Sequence, residues 1–235
     1  MYKEIWNNYI KGFKFLLPFI LVKVLFESIS ANLDFSQYDF FVGNFSTFKQ
    51  TVTSNWVQIL FSLFAGSLFY SFLMVVIKAL ANEKHISFRE IFKESLGIYP
   101  RYLALTIIIS AIFLVVMFLG FWDIIMPIAV IFIIYLSVLF TPCNAYLVYN
   151  DASPTEAFKK GISLGKKYSG EIILLSIALS IIVGIISIVG INLATSTIGY
   201  VLINFIITSV YMYSYIFAMT ICKKGEETEK VILKY

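Results

Sequence analysis

Histidine, cysteine and charge are the scarcest ingredients of this sequence. Among 235 residues there is one histidine, His85, and there are two cysteines, Cys143 and Cys222. A histidine-rich metal site is therefore excluded, and no Cys/His cluster has the spacing of a zinc site. Both cysteines fall in or at the end of apolar runs, which reads as small buried hydrophobes ahead of a disulfide. Only 14% of residues are charged, where a soluble domain carries about 25%. Catalytic signatures are missing as well. There is no G-x-S-x-G, no H-E-x-x-H, no phosphate-binding glycine loop and no Asp pair suited to metal-bound diphosphates, so neither an enzyme nor a cofactor is expected.

What is present is apolar. Hydrophobic residues make up 60% of the chain and aromatics 17%, and the mean hydropathy is +0.87. Such a composition belongs in a bilayer. Six stretches approach the 20 or so residues that a helix needs to cross a hydrocarbon core. They run from about Phe13 to Ser30, Trp56 to Leu80, Tyr102 to Gly120, Ile124 to Val148, Ile172 to Ile191 and Ile198 to Cys222. The first ends in Ser28-Ile29-Ser30-Ala31, which loosely imitates a signal-peptidase site. Lys23 and Glu27 interrupt it, however, and it exceeds the usual apolar length, so a retained span is expected.

Basic residues alternate in position with these spans. Sixteen of the eighteen lie before the first span, between the second and third, between the fourth and fifth, or after the sixth. The opposite loops hold only Lys49 among basic residues. The positive-inside rule then places both termini in the cytoplasm of a multi-pass cell-membrane protein. The net charge of +4 follows this sidedness rather than one basic face, so no nucleic-acid partner is expected.

The connections on the basic side carry helical patterns. Phe88, Ile91, Phe92 and Leu96 recur at helical spacing opposite Arg89, Glu90, Lys93 and Glu94, and Ser87 with Glu90 forms an S-x-x-E capping box. Ser153-Pro154-Thr155-Glu156 repeats the device ahead of Ala157, Phe158 and Ile162. A shift of 66 residues superposes Ser87 on Ser153, Glu90 on Glu156, Lys93 on Lys159 and Tyr102 on Tyr168. A weaker copy around Glu4, Ile5, Trp6 and Ile10 opens the chain. The expected fold is all-α: a polytopic integral membrane protein with six transmembrane helices, built as three parallel repeats of an amphipathic helix plus a two-helix hairpin. One transmembrane domain covers 1–222, with units at about 1–80, 87–148 and 153–222, and 223–235 is a solvated cytoplasmic tail.

The run Thr141-Pro142-Cys143-Asn144 through Asn150-Asp151-Ala152-Ser153-Pro154-Thr155-Glu156-Ala157-Phe158-Lys159-Lys160-Gly161-Ile162-Ser163-Leu164-Gly165, followed by Tyr168-Ser169-Gly170, resembles a known pattern. It is similar to the fourth span and following helix of the YciC-like six-span membrane proteins, and of the membrane domain attached to some glycerophosphoryl diester phosphodiesterases. The specific residues are confined to about 141–171. Lys159 and Lys160 depart from the Arg/Ser-type pattern common there, and the sequence carries no phosphodiesterase domain. The resemblance implies the six-span fold; the family is largely of undefined function, so it implies no activity.

Polar residues at membrane depth are the first candidates for function. Lys23 and Glu27 stand one turn apart, either neutralising each other or serving a polar ligand or proton. Pro142 removes a backbone donor near Thr141 and Asn144, which either bends the helix or opens a binding site. Asn204 is a lone amide, read first as an interhelical hydrogen bond. Ser176, Ser180 and Gly184 recur every four residues and read as helix packing, within the bundle or in a homo-oligomer. Tyr211, Tyr213 and Tyr215 read as lipid and bundle contacts, with a tyrosine-lined cavity as the alternative. Arg101, Lys166 and Lys167 sit where amphipathic helices turn into spans, placed for lipid phosphates.

The leading expectation is a non-enzymatic bundle that binds or organises lipid, or a lipid-linked molecule, at the cytoplasmic leaflet. The alternatives are a transporter subunit with a separate soluble partner, or a chaperone or immunity-type scaffold for another membrane protein.

Overall fold

The computed structural model describes residues 1–30, 45–84, 87–120, 125–191 and 196–232, leaving aside the side chains of 27–30, 45–52, 197 and 228–232. The described residues form eight helices and no strand: α1 (Tyr2–Ser30), α2 (Phe45–Ala81), α3 (Phe88–Leu119), α4 (Met126–Phe140), α5 (Cys143–Asn150), α6 (Pro154–Lys167), α7 (Ser169–Gly190) and α8 (Thr197–Ile232). Helices satisfy every interior backbone group within the segment, which is what a chain this apolar requires in lipid. Five segments are long and apolar enough to cross a membrane: Thr53–Ala81, Phe88–Leu119, Met126–Asn150, Ser169–Gly190 and Ile198–Glu227. The expected first span, Phe13–Ser30, is helical throughout as part of α1. It is not among these five, which are counted over the described residues, and Lys14 and Lys23 lie within it.

The expected break in the fourth span falls at Thr141-Pro142, between α4 and α5. Pro142 has no N–H to donate, and Thr141 turns inward, its Oγ1 donating to the Ser137 carbonyl at 2.7 Å. The helix restarts with the Tyr146 N–H donating to the Pro142 carbonyl at 2.8 Å. α5 then closes on Asp151, whose φ of 52° is left-handed, while the Ala152 N–H bonds back to the Leu147 carbonyl at 3.1 Å. Glu83 closes α2 in the same way, with φ 52° and a bond of 3.0 Å from the Lys84 N–H to the Ala79 carbonyl.

Three local expectations are corrected. Residues 87–96 do not form a separate surface helix: α3 runs unbroken from Phe88 through Pro100 to Leu119. The Ser87 side chain makes no capping bond, whereas Ser153 Oγ accepts from the Glu156 N–H at 3.3 Å. Tyr168, with φ −108° and ψ 21°, interrupts the chain between α6 and α7, so only the second copy is a distinct helix. Nor does a solvated tail begin at residue 223. α8 continues to Ile232, and Gly225 is buried against Leu164, where an added Cβ would lie 2.7 Å from a leucine methyl.

Packing is densest at the end where the basic connections gather. Leu73–Ile77 of α2, Cys143, Leu147 and Val148 of α5, and Ile216–Met219 with Cys222 of α8 are essentially inaccessible. α6 lies across this end on the α4–α5 break. Its buried face is Ala157, Gly161 and Gly165, and a Cβ at Gly161 would sit 2.6 Å from Cys143 Cα. Lys223 ties three helices together there, donating to the Ala81 carbonyl at 2.9 Å and pairing with Glu4 at 3.5 Å. At the other end Ile188 and Val189 of α7 and Ile198 of α8 are about three-quarters exposed, while Gly190 is buried against Ile203.

Candidate functional site

A large cleft lies between the described helices. No Cα of α7 comes within 8 Å of one in α2 or α3 among the described residues, and α3 and α8 stand apart likewise. α7 leans instead on α8, with lesser contacts to α4 and α6. The resulting space, about 1070 Å³, is lined by α2, α3, the α4–α5 break, α7 and α8. It lies at the upper limit of typical small-molecule pockets, which run from about 300 to 1,000 Å³.

Each wall contributes polar residues about one turn apart. α2 supplies Ser62, Gly66, Ser67 and Tyr70; α3 supplies Tyr102, Thr106 and Ser110; the break supplies Ser137, Thr141 and Asn144; α7 supplies Ser176 and Ser180; α8 supplies Tyr211, Ser214 and Tyr215. Between them lie Ile59, Leu63, Ile107, Leu114, Leu175 and Leu179. Among the described residues, no Asp, Glu, Lys, Arg or His lines the cleft. The polar surface is therefore one of neutral hydroxyls and a single amide.

Several of these hydroxyls are occupied as donors. Thr106 Oγ1 donates to the Tyr102 carbonyl at 2.9 Å, Ser137 Oγ to Ile134 at 2.7 Å and Ser214 Oγ to Tyr211 at 2.7 Å. Their oxygens keep acceptor capacity toward the cleft. Two atoms are different: Ser67 Oγ and Asn144 Oδ1 are buried with no hydrogen-bond partner. Ser67 is only 3% exposed. A buried polar atom without a partner costs free energy, and two such atoms lining one cleft mark where a ligand atom would be stabilised.

The residues singled out from sequence are dispersed. Thr141 and Asn144 line the cleft at the proline break. Lys23 lies outside it, with Nζ 5.8 Å from the ring centroid of Tyr211, one of the lining residues. The side chain of Glu27 is outside the described residues, so its pairing with Lys23 is too. Asn204 does not line the cleft, and its buried Nδ2 has no partner; the expected interhelical hydrogen bond from that atom is not formed. Ser176 and Ser180 are exposed toward the cleft, and a Cβ at Gly184 would meet nothing within 4 Å. This stripe is not a packing seam within the chain, because no helix faces it closely; that part is played by Ala157, Gly161 and Gly165. Tyr211 and Tyr215 line the cleft, whereas Tyr213 packs against Trp6 and Tyr9.

Arg101 is already engaged. Its Nη2 meets Asp151 Oδ1 at 2.5 Å and its Nη1 donates to the Asp151 carbonyl at 2.8 Å, tying α3 to the turn between α5 and α6. Lys166 and Lys167 are exposed in the last turn of α6, where cations suit the helix dipole, and Lys167 Nζ stands 5.3 Å from the Tyr168 ring centroid.

Sequence reasoning passed over Ser67, Tyr70, Tyr102 and Ser110. A signal exists for all but Ser67: hydroxyl or small residues four apart at 62, 66 and 70, at 102, 106 and 110, and at 137 and 141 repeat the spacing of Ser176, Ser180 and Gly184 on α7.

The fold and site together define a class: an all-helical protein whose described residues include five helices long and apolar enough to cross a membrane, with a cleft between them lined by uncharged described residues. No family model, curated protein or solved structure matches the chain.

Proposed function

We propose that this chain is a six-span, non-enzymatic protein of the cell membrane that binds or organises a lipid, or a lipid-linked molecule, in the cleft between its helices. The observation that carries the reading is the separation of α7 from α2 and α3, which leaves space for a long apolar molecule with a sideways opening past exposed Ser176, Ser180 and Tyr211. Lining on α7 begins at Ile172, three residues into the helix, and on the break it includes Asn144, six residues before the end of α5. Those are the ends nearest the basic connections, which the positive-inside rule assigns to the cytoplasm, so the ligand belongs to the cytoplasmic leaflet.

α1 supplies the sixth span. It runs antiparallel to α2, with Gly12 against Leu80 at one end and the ring of Phe26 tilted against that of Phe61 at the other. Between those contacts α1 rises about 21 Å, and its full 29 residues rise about 43 Å, longer than the hydrocarbon thickness of about 30 Å. Three hairpins follow, α1 with α2, α3 with α4–α5, and α7 with α8, in keeping with the repeat and with the resemblance to the YciC-like proteins. Lys166 and Lys167, rather than Arg101, are the residues free of a carboxylate partner that face the headgroup layer.

Native mass spectrometry on protein extracted gently from its own membrane tests the reading. A retained lipid of defined mass is expected. A stoichiometric protein partner, with only a nonspecific spread of lipids, would instead make the chain a transporter subunit or scaffold.

A further inference from the structure

The cleft also restricts what kind of lipid it accepts. Among the described lining residues its polar atoms are hydroxyl oxygens and one amide, with no cation and no carboxylate. A phosphate or carboxylate brought into such a space loses its water without gaining a counter-charge, which is among the costliest changes available to a ligand. An uncharged hydroxyl loses far less, and it finds here what it needs.

Ser67 Oγ and Asn144 Oδ1 are buried, unpartnered and on the cleft wall. Asn144 Oδ1 accepts only, so its partner must donate. The serine oxygen accepts as well as donates. A ligand hydroxyl meets both demands, and it would still do so if the amide of Asn144 were turned over, since it can accept from Nδ2. Around these atoms Leu63, Ile107, Leu175 and Leu179 provide apolar surface for a hydrocarbon chain.

We infer that the cleft selects an uncharged, hydroxyl-bearing lipid, such as a long-chain alcohol or partial glyceride, through Ser67 and Asn144, and discriminates against its phosphorylated counterpart. The inference rests on the lipid-binding reading above and adds the chemical class. Access would run sideways between α3 and α7, whose described Cα atoms nowhere come within 8 Å of each other.

The test uses the full chain in phosphatidylcholine vesicles with two photoreactive probes of equal chain length, a monoacylglycerol and the same molecule carrying a terminal phosphate. Cross-linked peptides are mapped by mass spectrometry. The monoacylglycerol is expected to label cleft-lining peptides of α2, α3 or α7 severalfold more than the phosphorylated probe. Ser67→Ala and Asn144→Leu are each expected to lower that labelling about fivefold, the effect of losing one hydrogen bond. Ser67→Ala should leave thermal stability unchanged or raised, which separates lost binding from lost folding. Equal or stronger labelling by the phosphorylated probe overturns the selectivity while leaving lipid binding in place. Unchanged labelling in both variants overturns the part given to Ser67 and Asn144. Labelling of the cleft by neither probe overturns lipid binding itself.

Discussion

Gly161 of α6 and Gly97 of α3 are both helical glycines, yet their missing side chains have opposite consequences. At Gly161 a Cβ would lie 2.6 Å from the Cα of Cys143, and backbone cannot step aside as a side-chain tip can. Gly161→Ala is therefore expected to cost about 2–3 kcal/mol, the range for overfilling a packed interface, and to lower the unfolding temperature in detergent. At Gly97, exposed within α3, nothing lies within 4 Å. Gly97→Ala should stabilise by about 0.5–1 kcal/mol, through the backbone entropy that glycine forfeits on becoming helical. Ser67→Ala belongs with the second kind: it removes a buried hydroxyl that has no partner. A modest gain in stability together with weaker lipid retention would show a residue kept for its ligand rather than for the fold. Spacing alone did not separate these cases. Ala157, Gly161 and Gly165 recur every four residues, as do Ser176, Ser180 and Gly184, but only the first set meets a helix. A small-residue stripe says that something can come close; the tertiary arrangement decides whether that is backbone or open space.

Among the elements, α6 and α3 show what can and cannot be read from pattern. Both have apolar residues at helical spacing, acidic groups in the first turn and a serine before it. The break at Tyr168 makes α6 a separate helix, while α3 carries Pro100 without interruption into its span. A proline costs one backbone bond and a clash with the preceding turn; Pro100 is exposed, and the helix continues through it between the buried Ile98 and Tyr102. Arg101, the next residue, was read as a lipid contact because a basic residue at a membrane boundary always admits that reading. Its actual partner, Asp151, lies fifty residues away, and no local rule links them. The two side chains are 35% and 67% exposed, so solvent screens the pair, and its coupling energy is expected at no more than about 1 kcal/mol in a double-mutant cycle with Arg101→Gln and Asp151→Asn. Lys166→Gln with Lys167→Gln should behave differently. Stability should change little, while association of detergent-solubilised protein with anionic lipid weakens, each lysine contributing about 1 kcal/mol at the membrane surface. A weakening as large for Arg101→Gln as for the lysine pair would contradict the division of labour between them.

The whole molecule turns on whether α1 crosses the membrane. Five spans, the number that length and apolar content identify directly, would put the two ends of the chain on opposite sides; six put them together. The proposed architecture has six. Glu4 pairs with Lys223, Tyr2 stacks near Phe217, and the same α1 reaches Phe61 of α2, so one end of α1 shares the densely packed end with the close of α8. Its lysines are affordable because they need not face hydrocarbon at mid-depth: Lys14 Nζ stands 4.8 Å from the Phe15 ring centroid, Lys23 reaches the ring of Tyr211, and long basic side chains extend toward the interfaces. Asn7→Cys near the start and Glu227→Cys near the end provide exposed thiols for a membrane-impermeant maleimide. The native Cys143 and Cys222 add little background, being 0% and 1% exposed. In intact cells neither engineered cysteine should react, and in inside-out vesicles both should. Reaction of Asn7→Cys alone in intact cells would place the amino terminus outside, reduce the bundle to five spans and remove the pairing of hairpins on which the threefold plan depends. The cleft would survive that result, since none of its lining residues belongs to α1.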